Sequence, residues 1–200
     1  MPEYRTWINA CLLSFALWAP LSQAESGWQP LQETIRKSEK DNRQYQAIRL
    51  DNGMVVLLVS DPQAVKSLSA LVVPVGSLQD PDTHPGLAHY LEHMSLMGSK
   101  KYPQPDALSE YLKMHGGSHN ASTAPYRTAY YLEVENDALE GAVDRLADAI
   151  AEPLLAKKYA QRERNAVNAE LTLARSRDGM RMAQVSAETL NPAHPGARFS

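Results

Sequence analysis

Residues 86–98 read GLAHYLEHMSLMG, and within them His89, Glu92 and His93 spell H-x-x-E-H. The stretch decides the reading of the chain because it is the first helix to follow the expected strands. It opens near Gly86, directly after Pro85, and is expected to end by Gly98. On a helix, positions four apart face the same way, so His89 and His93 present two imidazoles to one point, with Glu92 bordering that face. The pattern arises by chance in roughly one in a hundred chains of this length, so its surroundings must carry weight too.

Upstream, YQAIRLDNGMVVLLVSD places two apolar, alternating runs either side of Asp51-Asn52-Gly53. Asn-Gly supplies the backbone angles of a tight hairpin turn. A third strand is expected in LSALVVPVGS, rich in β-branched residues. Residues 25–43 read as a polar arm, extended, with a short helix around QETIRKSEK. Downstream, 104–115 reads as a helix stopped by Gly116-Gly117, and GGSHNASTAPYRTAYYLEV as two further strands. Two helices follow: 136–150, capped by Asn136 or Asp137, and 157–190, with a kink expected at Gly179. This order predicts an α+β fold, a mixed but mostly antiparallel sheet packed with helices.

The N-terminus is set aside from the fold. MPEYRTWINACLLSFALWAPLSQAES carries Arg5, an apolar run from Trp7 to Leu21, and then Ser22-Gln23-Ala24. That is the anatomy of a cleaved export signal over residues 1–24; the competing membrane anchor is disfavoured by the short run and by Pro20. The chain is expected to be exported, with no membrane attachment after cleavage. Residues 44–200 are expected to form the folded domain, read as incomplete because the chain stops in the loop-like NPAHPGARFS. Lys and Arg number 20 against 23 Asp and Glu, and the leader removes only Glu3 and Arg5, leaving a net charge of -3. No basic face is implied, so nucleic acid is not an expected partner. The only cysteine, Cys11, lies in the leader, so a metal site in the remainder must use His, Asp and Glu.

A catalytic zinc site takes three protein ligands and keeps one position open. The inverted motif supplies two ligands and a candidate base, as in a known class of metallopeptidase signatures. The third ligand must come from another element, and RERNAVNAEL offers Glu163 and Glu170, seven apart on one helical stripe. Pairing with Arg162 or Arg164 on an exposed face is the plainer role for both. His115 and His119 read as surface or hairpin residues, and His84 and His194 as loop residues beside prolines.

HYLEH at 89–93, MSLMGSKKYP after it, GGSHNAST at 116–123, YYLEVENDALEGAVDRLADAI, and ERNAVNAE at 163–170 together resemble the insulin-degrading enzyme family of inverted-motif zinc metallopeptidases. The resemblance runs over essentially the whole chain. It implies one zinc per chain on His89, His93 and Glu170, Glu92 as base, and Glu163 as a further acid near the site. It also implies an edge strand at Asn120 and Ala121 that pairs with extended peptide through backbone groups. Implied partners are peptide and small-protein substrates and the C-terminal half of a full-length, monomeric enzyme; magnesium is not expected. Two other readings compete: a non-catalytic relative with a degenerate site, against which the presence of all four motif residues counts, and an exported metal-binding module without hydrolysis, which uses the same ligands but has no use for Glu92 or the strand-adding segment.

Overall fold

The computed structural model describes residues 27–32 and 35–197. The leader at 1–24 lies outside the described residues. The chain divides into two compact units, residues 1–63 and 64–200.

In the first unit, β1 (Trp28–Pro30), β2 (Gln44–Leu50) and β3 (Val55–Ser60) form an antiparallel sheet in the order β1-β2-β3. The β2–β3 turn falls where Asn-Gly puts it. Gly53 takes φ +86°, its N–H donates to Leu50 O at 2.8 Å, and Asn52 Oδ1 accepts from Met54 N at 3.0 Å. The short helix expected around 32–40 is not present among the described residues, which run irregularly into a turn at 39–40. So short a helix is marginal without packing, and Ile35 is exposed rather than seated on a core.

In the second unit, β4 (Lys66–Val73), β5 (Ser118–Ala124) and β6 (Arg127–Glu135) form a second antiparallel sheet in the order β4-β6-β5. The α+β class is as expected, but the strands fall into two three-stranded sheets, and every pairing among the described residues is antiparallel. The central strand β6 alternates strictly, burying Thr128, Tyr130, Leu132 and Val134. Against that face pack α1 (Leu87–Ser95), α2 (Ala107–Met114) and α3 (Leu139–Ala151). Leu108 and Leu112 of α2 and Ala142 and Leu146 of α3 close the core over Leu132 and Val134. Gly141 permits this packing, because a Cβ there would lie 2.3 Å from the Tyr111 hydroxyl of α2.

Two helix boundaries differ from those the sequence predicts. Neither Asn136 nor Asp137 caps α3; residues Asn136–Ala138 form a 3-10 turn, and α3 begins at Leu139. The Asn136 side chain is spent elsewhere, donating to Ala64 O and accepting from Ser67 Oγ, both at 2.9 Å, which ties down the start of β4. The long C-terminal helix is two helices, α4 (Lys157–Ala174) and α5 (Asp178–Glu188), broken at 175–177 rather than kinked at Gly179. Ser176 Oγ donates back to Leu173 O at 2.7 Å, and Arg177 is extended, with φ -90° and ψ 129°. Gly179 sits in the first turn of α5, where its missing Cβ is least felt.

Candidate metal centre

The N-terminus of α1 is fixed before any ligand is placed. The Asp80 carboxylate accepts from Gly86 N at 2.7 Å and Ala88 N at 2.8 Å, covering donors that the first turn leaves open and setting a negative charge at the positive helix end. At the other side, the Tyr90 hydroxyl donates to Ala160 O of α4 at 3.0 Å, holding the two helices at the height where their ligands meet.

His89 and His93 stand edge to face with ring centroids 5.1 Å apart. Glu170 of α4 reaches both: one oxygen lies 3.3 Å from His89 Nε2 and the other 3.7 Å from His93 Nε2. One ligand atom from each of the three residues fits within a 4.8 Å spread. Glu163, two turns earlier on the same stripe, is buried and accepts at 3.3 Å from His93 Nδ1 and at 2.7 Å from Arg162 Nε. Sequence alone leaves the two acids interchangeable; the structure sets Glu170 between the imidazoles and Glu163 behind one of them. The expected arginine pairing of Glu163 is also present, but the carboxylate is buried and shared with His93.

The hydrogen-bond arithmetic of His93 tests whether a metal fits. With Nδ1–H donating to Glu163, neutral His93 turns the Nε2 lone pair toward the Glu170 carboxylate, so two acceptors face each other. A cation placed between them would satisfy both acceptors. Two imidazole nitrogens and a carboxylate oxygen are the donor set of zinc, whereas magnesium prefers oxygen ligands alone.

Glu92 borders the same cavity as His93 and Glu163. It is 7% exposed and its carboxylate accepts from the Thr123 hydroxyl of β5. Its backbone carbonyl accepts from Ser95 Oγ at 2.9 Å, which meets the Tyr130 hydroxyl at 3.1 Å. Burial pushes the Tyr130 phenol up, and the nearby Glu92 charge adds to this while the Ser95 bond opposes it, so Tyr130 remains a neutral hydroxyl. A cavity of about 200 Å³ lies beside these groups, lined among others by Glu92, His93, Glu163, His119, Asn120 and Ala121. Asn120 and Ala121 lie on β5, which pairs with β6 on one side only. At the open edge the Ala121 N–H donates to the Asn120 side-chain oxygen at 2.9 Å.

Two participants escape the sequence reading. Asp80 lies seven residues before the first residue of the helix it caps, outside any local capping pattern. Thr123 could have been placed on the face of Ala121 and His119 by strand alternation, but not opposite Glu92. Of the two readings of His119, surface or hairpin, the second holds: it lies on β5 of the β5–β6 hairpin, half-buried against the cavity, and its Nε2 meets Ser109 Oγ of α2 at 2.8 Å. His115, which the sequence groups with it, stacks on Tyr111 with centroids 4.5 Å apart.

Burial, and secondarily the charge of Lys113, hold the His119 imidazole below its ordinary value of 6.5. The unfolded chain therefore takes up this proton first as pH falls, so the contribution of neutral His119 is intact above about 6.5 and is lost below it. Urea midpoints of the metal-free chain should fall between pH 7.5 and 5.5, and fall by less in His119→Asn. Equal falls in both proteins would show that His119 does not contribute to the acid limb.

With that geometry in place, comparison with known proteins becomes informative. Residues 55–193 match the family described as Insulinase (Peptidase family M16). The chain is 87% identical over 195 residues to Protease 3 of Escherichia coli K12, covering 98% of this chain and 20% of the relative. It is 44% identical over 165 residues to the insulin-degrading enzyme of Homo sapiens, covering 82% of this chain and 16% of that one. A crystal structure of pitrilysin superposes with a TM-score of 0.84 at 89% identity, covering 87% of this chain and 19% of that chain. The chain thus spans about a fifth of the length of these relatives. A family match over most of the chain, around the inverted motif and through α4, means that the chain belongs to the insulinase family of peptidases, M16.

Proposed function

We propose that this chain forms the metal-binding part of a zinc-dependent endopeptidase that degrades peptides and small proteins in the periplasm. The observation that supports it best is the convergence of His89, His93 and Glu170 beside a buried Glu92 and an open strand edge. A zinc ion bound there supplies Lewis acidity toward a carbonyl oxygen and toward water. His89 and His93 offer Nε2 and Glu170 a carboxylate oxygen, while Glu163 holds His93 by Nδ1 and so fixes the tautomer that leaves Nε2 free to ligate. Glu92 is the base: it takes a proton from water and later delivers it to the leaving amine. The edge of β5 at Asn120 and Ala121 receives the substrate as an added strand, with a peptide carbonyl replacing the Asn120 side chain on the Ala121 N–H.

The short span relative to its relatives motivates a further part of the proposal. The remainder of the full-length polypeptide completes the substrate site, so the isolated chain binds zinc but cuts weakly. In the full-length polypeptide, dialysis against a chelator should abolish cleavage of a fluorogenic peptide, with zinc but not magnesium restoring it. Cleavage that persists after complete metal removal would exclude the reading.

The periplasmic destination rests on the leader in residues 1–24. Cells expressing the chain should yield a periplasmic form beginning at Glu25. Recovery from membranes with residues 1–24 still attached would favour an anchor.

A further inference from the structure

We propose that Thr123 is a positioning residue for Glu92: its hydroxyl holds one carboxylate oxygen so that the other faces the substrate water, and it links peptide pairing on β5 to the orientation of the base. The proposal rests on the reading of Glu92 as the base. Thr123 is the hydrogen-bond donor to the Glu92 carboxylate among the described residues. An ionised carboxylate accepts at both oxygens, so a fixed donor on one leaves the other as the proton acceptor. The main chain of Glu92 is held independently, through Ser95 to Tyr130 of β6. Carboxylate and carbonyl are thus gripped by adjacent strands of one sheet.

The same strand carries the substrate edge. Along β5, His119, Ala121 and Thr123 alternate onto the half-buried face while Ser118, Asn120 and Ser122 are exposed. His119 is tied to Ser109 of α2 and Thr123 to Glu92 of α1, so two side-chain bonds pin the strand to two helices on either side of Ala121. Register adds a closure: Ala121 lies opposite Tyr130, and Thr123 opposite Thr128, whose hydroxyl donates to Val75 O at 2.9 Å. A peptide that pairs at Ala121 therefore orders a strand segment whose next inward side chain on the same face, Thr123, is the donor to Glu92. During proton transfer the Thr123 hydroxyl keeps its own proton; only the free Glu92 oxygen gains one.

The test is made in the full-length, zinc-loaded polypeptide with Thr123→Val, Thr123→Ser and Glu92→Gln. Thr123→Val preserves shape and deletes the donor, so kcat should fall about 10- to 100-fold with KM changed less than about threefold, a loss confined to the transition state. Thr123→Ser should recover most of the rate. Zinc stoichiometry and the unfolding midpoint of the serine variant should match wild type, since Thr123 touches neither imidazole. Should Thr123→Val fail to fold, Thr123→Ala makes the same comparison. Wild-type kcat in the valine or alanine variant while Glu92→Gln is inactive overturns the positioning role alone, as does a rate loss that serine does not rescue. An active Glu92→Gln overturns the assignment of the base.

Discussion

Glu92→Gln is expected to reduce peptide hydrolysis by roughly 10³- to 10⁴-fold in the full-length polypeptide while leaving zinc in place, the upper range for loss of an essential acid–base group. The substitution keeps the volume of a side chain that is 7% exposed, and its amide can still accept from Thr123. What it loses is the second lone-pair oxygen with enough basicity to take a proton. KM should move little, because in the proposed reading the strand edge at Asn120 and Ala121, not Glu92, holds the peptide. The pairing of outcomes matters: intact zinc with lost turnover assigns Glu92 to proton transfer, lost zinc would make it a ligand or a support of the ligands, and near-normal turnover would remove the base from the mechanism. A metal-carrier module predicts no hydrolysis in either protein.

How far the sequence reaches here depends on the distance over which each feature is determined. His89 and His93 are one helical turn apart, so local geometry alone sets their rings side by side. The β2–β3 turn is equally local, since Gly53 needs a positive φ whatever surrounds it. Choosing between Glu163 and Glu170 is not local. Both lie on the same stripe of α4, and their different surroundings come from how α4 crosses α1, fixed by contacts such as Tyr90 to Ala160. Thr123 and Asp80 depend on distant pairings in the same way. The missed boundaries have another cause: Asn136 and Ser176 carry side chains able to cap or break a helix, and tertiary demand at Asn136 and a back-bond at Ser176 decided which they did.

The metal ligands give the sharpest separation between neighbouring acids. His89→Ala, His93→Ala and Glu170→Ala should each take zinc content from close to one per chain toward zero, since a three-ligand site that loses one side chain keeps too few protein donors for tight binding. Glu163→Gln should instead retain zinc with affinity lowered about 10- to 100-fold, because the amide still meets His93 Nδ1 but no longer as an anion. Glu163 is the more buried of the two, and Arg162 stays beside it, so this variant also leaves a guanidinium without its charge partner. Stability alone would therefore rank Glu163 as the more important residue, and metal content should rank Glu170 first. Elemental analysis and competition with a zinc-binding dye on the purified chain decide the matter: full zinc in Glu170→Ala, or zinc lost equally from Glu163→Gln, would exchange the roles of the two carboxylates.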